Sequence, residues 1–155
     1  MRRHRIDPRP DWQARVEAQG LVFHTTADHG VYWGEDGYYA LTEHEADAIE
    51  AATIELHRRC LDAVAHVVER GRYAELGIAP WIAPLVERSW RERAPSLYGR
   101  MDLAFGDGVP RLLEYNADTP TSLLEAGVIQ WTWLIERFPA CDQFNAIHGA
   151  MPSSA

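Results

Sequence analysis

Two carboxylates, an amide and an arginine fall at intervals that could gather them on one face of a β-hairpin. Residues 100–105 (RMDLAF) and 111–115 (RLLEY) flank Gly106-Asp107-Gly108, which reads as a hairpin whose loop is somewhat longer than the tightest turns. Side chains alternate along a strand, so Arg100, Asp102 and Ala104 share one face of the first strand. Leu112, Glu114 and Asn116 share one face of the second by the same alternation. With the turn centred on Gly108, Asp102 lies opposite Glu114 and Arg100 opposite Asn116. Like charges opposed across a ladder are unfavourable unless a cation sits between them or a proton is retained. Two carboxylates and an amide carbonyl are hard oxygen donors, the set Mg²⁺ takes when phosphates and water complete its shell. The Arg100 guanidinium beside them is a planar fork of donors suited to a phosphate. The plain alternative, favoured by periodicity alone, is a solvated strand face with Arg100 in an ordinary cross-strand ion pair.

The residues that follow could extend such a site. Ala117-Asp118-Thr119-Pro120-Thr121-Ser122 joins the strand to a helix through small polar side chains, and a helix N-terminus offers free N–H groups and a positive dipole end to an anion. Asp, Thr and Ser are equally ordinary N-caps, and capping alone accounts for one or two of them. A Ser122…Glu125 capping pair opens the last helix, whose Leu124, Val128, Trp131, Ile135 and Phe138 form an apolar stripe. On that spacing Trp131 belongs to the core, while Trp133 lies off the stripe and is exposed.

The elements that must carry these residues can be read upstream. Residues 11–19 suit a helix stopped by Gly20, and residues 21–24 and 38–41 suit short strands or extended segments joined by turns. Thr42-Glu43-His44-Glu45 reads as a capping box, since the Thr hydroxyl and the Glu carboxylate can satisfy each other's free backbone N–H groups. A long helix to about Arg70 follows, with Ile49, Ala52, Leu56, Cys60, Ala63 and Val67 along one face and Gly71 closing it. Pro80 suits the first turn of another helix, which buries Ile82, Leu85 and Val86 and runs to about Arg93 before Pro95. Helices and short strands are mixed without βαβ alternation or an internal repeat. The expected fold class is α+β, with helices packed on short strands, a β-hairpin and an incomplete α/β layer. Residues 1–148 read as one domain and residues 149–155 as a frayed tail.

Composition narrows the function classes. The chain has 155 residues, 46% of them hydrophobic with six Trp, six Tyr and four Phe, so it can supply a core. A net charge of −8 argues against nucleic acid or an anionic membrane as partner, because both require a basic footprint. Small molecules, cations or proteins remain. Neither a membrane-length apolar run nor a secretory leader is evident, and the expected location is cytoplasmic. Cys60 and Cys141 stand apart without ligand spacing, and His24 and His29 suit surface or packing roles. All 15 basic residues are Arg, so a Walker-type lysine and a Schiff-base lysine are both excluded from this chain.

The run from Arg100-Met-Asp102 through Leu-Leu-Glu114-Tyr-Asn116-Ala-Asp118-Thr-Pro-Thr-Ser122-Leu-Leu-Glu125-Ala resembles the glutathionylspermidine synthase family, especially members without the separate amidase domain. The likeness continues through Ile129-Gln130-Trp131 and Asp142-Gln143-Phe144-Asn145, and more loosely back through Tyr32-Trp33 and Leu56-His57, so it covers nearly the whole chain. That resemblance implies an ATP-dependent, amide-forming ligase acting on a peptide-like carboxylate and an amine by way of an acyl phosphate. It implies Mg²⁺ at Asp102, Glu114 and Asn116, and Arg100 against the transferring phosphoryl group. Asp118, Thr119, Thr121 and Ser122 match the loop that lies against the peptide substrate, where glutathionylspermidine synthases proper carry other small residues. The family's nucleotide-holding lysines belong to an ATP-grasp part with no counterpart here. Two readings follow: the pre-ATP-grasp segment of a ligase, truncated or completed by a separate ATP-grasp polypeptide, or a non-catalytic metal- or ligand-binding module. In either, the isolated chain is expected to be inactive.

Overall fold

Pro8, Pro10, Gly20, Gly30, Gly34 and Gly37 interrupt the first forty residues, so strands there are short. In the computed structural model, which describes residues 1–117 and 121–143, β1 (Arg2–Arg5) pairs antiparallel with β4 (Gly37–Ala40), Arg3 standing opposite Tyr39. A second, minimal ladder joins β2 (Thr25–Thr26) to β3 (Gly30–Val31). The fold is α+β, as the sequence predicts. Two compact units make it up, Met1–Ala46 with Pro120–Ala155, and Asp47–Thr119.

In the first unit, helix α1 (Trp12–Ala18) ends in a left-handed Gly20 with φ 100°. The Gly20 N–H bonds to the Glu17 carbonyl at 2.9 Å and the Leu21 N–H to the Val16 carbonyl at 2.9 Å, a Schellman ending. Residues 21–24, expected as a short strand or extended segment, are a turn instead. The Leu21 amide is consumed by the helix stop and is not free for a ladder, while its side chain is fully buried with Val16 and Ile129. Trp12, Trp33 and Leu124 pack around that core.

The last helix departs from the expected stripe. Residues Glu125–Ile129 form a π-helix, continued by α4 (Gln130–Arg137). A π turn holds more residues than an α turn, so it shifts the phase of everything after it. Ile129 and Trp133 thereby turn inward, Trp133 being only 8% exposed, while Ile135 is 43% exposed. The expectation of an exposed Trp133 is thus overturned, and Trp131 is half-buried.

Arg9 joins three remote segments of this unit. It is 5% exposed, and its guanidinium donates to Glu35 through Nε at 2.9 Å and Nη2 at 2.5 Å, and through Nη1 to Glu136 at 2.9 Å. Glu35 is 2% exposed, and Glu136 also accepts from Arg15 Nη1 at 3.1 Å. Arg137 adds a bond of 2.6 Å to the Asp7 carbonyl.

The capping box is present as expected, with the Thr42 N–H donating to Glu45 Oε2 at 2.9 Å and the Glu45 N–H to Thr42 Oγ1 at 3.2 Å. It opens α2 (Glu43–Arg70), closed by Gly71 at φ 62°. Ile49, Ala52, Leu56, Cys60 and Val67 are half-buried, Ala63 is exposed, and none of the helix is fully buried. In the second unit a 3₁₀ turn (Arg72–Leu76) buries Tyr73, whose hydroxyl donates to Glu87 at 3.1 Å on α3 (Ala83–Arg91). Pro84, rather than Pro80, occupies the first turn of α3, because Pro80 lies in a turn closed by the Ile82 N–H on the Ala79 carbonyl. Leu85, expected inside, is exposed. No helix among the described residues is long and apolar enough to cross a membrane.

Removing one partner of a buried ion pair leaves the other charge uncompensated, so Arg9→Met should destabilise the protein by about 3–5 kcal/mol in urea unfolding. Arg9→Met/Glu35→Met should recover most of that loss, and a double variant as unstable as the single one would count against the pair. Hydrogen bonds from Arg58 and then Arg59 lower the Glu55 carboxyl on α2 from 4.5 to about 2. Its folded pKa lies below the unfolded one, so its contribution is present above about pH 4.5 and lost as pH falls toward 2. Glu55→Gln should therefore reduce stability at pH 7 and leave it unchanged near pH 2, by a small, salt-sensitive amount because the pair is exposed.

Candidate functional site

Strands β5 (Arg100–Ala104) and β6 (Arg111–Asn116) form an antiparallel hairpin in the second unit. Its register puts Asp102 opposite Glu114 and Arg100 opposite Asn116, as side-chain alternation predicts. Nearer the turn the ladder slips. Leu103 pairs with Leu112 and Ala104 with Arg111, so Leu113 is a bulge residue and Leu112 does not share the ladder position expected for it. An extra residue on one strand has this effect, and the alternation rule contains no provision for it.

The turn is held by charge. Arg111 donates to both oxygens of Asp107 at 3.1 and 2.6 Å, and the Val109 N–H donates to Asp107 Oδ1 at 3.3 Å. The Arg111 guanidinium, and then that amide, hold the Asp107 carboxyl below the usual carboxylate range. At the other end, Arg100 Nε donates to Asp102 Oδ1 at 3.1 Å, with both side chains partly open to solvent. Glu114 is exposed and Asn116 half-buried, and the Asn116 Nδ2 is buried without a hydrogen-bond partner. No group of three or more His, Cys, Asp or Glu side chains converges among the described residues. The hairpin itself brings together two carboxylates, one amide and one guanidinium.

Tyr115 decides which face these groups occupy. Lying between Glu114 and Asn116, it points to the other side of the strand, where its hydroxyl meets His57 Nδ1 of α2 at 2.9 Å. Its ring packs edge-on to the imidazole at 5.9 Å. Gly99 makes room for it: a Cβ there would lie 2.7 Å from the Tyr115 ring. The sequence reading missed this anchor, although a tyrosine between two polar candidates on one strand was the available signal.

The loop candidates belong to the first unit or lie outside the described residues. Asp118 and Thr119 lie outside them; Thr121 is exposed and Ser122 half-buried. Ser122 has φ 77°, a left-handed conformation that non-glycine residues rarely adopt, and its carbonyl accepts the Ala126 N–H at 3.0 Å. Glu125, read as the partner of Ser122 in a cap, is buried and accepts the Tyr32 hydroxyl at 2.6 Å. A separate groove of about 870 Å³ opens in the first unit, walled by Trp33, Tyr38, Leu41, Trp133 and Phe138 with Asp142 among its polar groups. None of the hairpin residues lines it.

The family model described as glutathionylspermidine synthase preATP-grasp matches residues 3–154. The chain belongs to this family. It is 42% identical over 144 residues to a putative acid–amine ligase of Haemophilus influenzae, covering 90% of the chain and 37% of that protein. To the bifunctional glutathionylspermidine synthetase/amidase of Escherichia coli it is 31% identical over 153 residues, 94% of the chain and 23% of that protein. A glutathionylspermidine synthase of Crithidia fasciculata shares 38% identity over 79 residues, 48% of the chain and 11% of that protein. The chain therefore spans well under half the length of these relatives.

Proposed function

We propose that the chain supplies the cation-holding hairpin and the substrate loop of an ATP-dependent ligase that joins a peptide-like carboxylate to an amine. One observation carries this reading: Asp102 and Glu114 are paired directly across a ladder, with Asn116 and Arg100 paired beside them, in a chain belonging to the glutathionylspermidine synthase pre-ATP-grasp family. An opposed carboxylate pair is unfavourable alone and becomes favourable when a divalent cation joins it. The donor chemistry fits Mg²⁺, since Asp102 and Glu114 offer carboxylate oxygens and Asn116 an amide oxygen. The buried Asn116 Nδ2 is a hydrogen-bond donor, so it supports an acceptor such as a phosphate oxygen beside the cation and not the cation itself.

In this reading Asp102, Glu114 and Asn116 hold Mg²⁺, whose chemistry would be to neutralise charge on the nucleotide phosphates. Arg100, now on Asp102, swings its fork to the transferring phosphoryl group and stabilises charge developing there. Asp118, Thr119, Thr121 and Ser122 contact the carboxylate substrate. The groups that hold the nucleotide come from sequence outside this chain, because none of its residues is lysine and a bound triphosphate needs walls as well as charge.

Glu114→Gln removes half of the repulsive pair, so without metal the variant should be as stable as the parent or slightly more so. Millimolar Mg²⁺ should raise the Tm of the parent and leave that of the variant unchanged. Equal shifts in both, or no shift in either, would identify the hairpin as a solvated face. Ligase participation has its own test. Co-expression with the portion of the Haemophilus relative that this chain does not cover should give Mg-ATP-dependent ADP release requiring both a peptide carboxylate and an amine. Arg100→Ala should reduce that release at least 100-fold, on the scale of losing one electrostatic donor to the transition state. Release no faster than from either polypeptide alone would contradict the assignment.

A further inference from the structure

The π-helix raises a question that the hairpin chemistry does not answer: what holds it. A turn with more residues than an α turn is rare and requires support from its surroundings. Here it begins at Glu125, a carboxylate only 8% exposed, and Gly127 and Ile129 are buried as well. Three residues before it Ser122 stands at φ 77°, a backbone region that persists only where neighbouring structure over-determines it. The Ala126 N–H reaches back to the Ser122 carbonyl at 3.0 Å, which couples the two features.

The Tyr32 hydroxyl reaches Glu125 from 93 residues away in sequence, one residue beyond β3, and donates at 2.6 Å. At that distance the contact is a short O–H···O hydrogen bond. Tyr32 is itself seated, its N–H bonding to the His24 carbonyl at 2.9 Å and its ring lying 5.6 Å from Phe23. The donor is therefore fixed to the turn that joins α1 to β2. We propose that Tyr32 is a positioning residue, which through Glu125 pins the π turn and so holds Ser122 in its left-handed conformation at the base of the loop. The importance of that loop for substrate rests on the function proposed above; the positioning itself does not.

Amide exchange in the full chain tests this directly, with the Ala126 N–H as reporter of the bond to Ser122. In Tyr32→Phe the Ala126 and Val128 amides should exchange at least tenfold faster, while amides of α1 and of the β1–β4 ladder change no more than the loss of global stability in urea requires. Glu125→Gln keeps an acceptor for the hydroxyl and should stay within about threefold of the parent at Ala126, since the amide oxygen can accept the same bond. A uniform acceleration across the first unit would show Tyr32 to be merely structural and would overturn the proposal. So would unchanged Ala126 exchange in Tyr32→Phe. Glutathione added to the parent chain separates the two ideas, because loss of the substrate reading would appear as no shift at Thr121 or Ser122, whereas the exchange result stands or falls without any ligand.

Discussion

The first unit is organised around one buried guanidinium. Arg9 follows the first strand, Glu35 precedes β4 and Glu136 lies near the end of α4, and these three meet through bonds of 2.5–2.9 Å. Removing Arg9 and Glu35 from water carries a penalty that their attraction offsets only with full hydrogen bonding and good geometry, and the forked contact provides both. What this contributes is register more than net stability. An apolar cluster of Val16, Leu21 and Ile129 tolerates small slides, whereas a fork on a carboxylate does not. The β1–β4 pairing and the approach of α4 are thereby tied to a single point, and the groove walled by Trp33, Tyr38 and Trp133 is framed by the same elements.

The second unit is held differently. Among its described residues only Tyr73 is a buried hydrophobic, and Ile54, Leu61, Leu76, Trp81 and Leu97 are exposed. Its β5–β6 hairpin depends on the ladder itself and on the Tyr115–His57 bond to α2. A polar contact between a strand and a helix is directional, so it fixes which face of the hairpin lies against α2. Gly99 contributes by absence of a side chain, since anything larger would push the tyrosine ring away from the histidine.

Which parts were legible in the sequence follows from the range of the interactions. The Thr42 capping box, the glycine stops at Gly20 and Gly71 and the pairing of Asp102 with Glu114 all arise within a few residues or one hairpin, where spacing alone specifies geometry. The apolar character of residues 21–24 suggests a short strand or extended segment, but the demand of α1 for a C-terminal cap outranks it at Leu21. Trp133 was misread as exposed because a fixed helical period cannot survive a π turn. Tyr32–Glu125, Arg9–Glu35 and the pairing of a basic β1 with β4 join residues remote in sequence, and no periodicity announces them. The family resemblance was legible for the opposite reason, being carried by a long uninterrupted run through the second strand, the loop and the following helix.

The bulge at Leu113 explains how a charged loop and an opposed carboxylate pair coexist in one short hairpin. From Asp102 outward the ladder keeps one register, with Asp102 against Glu114 and Arg100 against Asn116. Toward the turn it keeps another, with Ala104 against Arg111, which lets Arg111 close on Asp107. A one-residue slip without a bulge would carry every later side chain to the opposite face. Glu114 and Asn116 would then stand where Tyr115 now meets His57, and two polar groups would face the helix in place of the ring. The extra residue absorbs that slip locally, at the cost of leaving Leu113 71% exposed. Turn geometry and site geometry are thus independent, and the turn can change in sequence without moving the carboxylates.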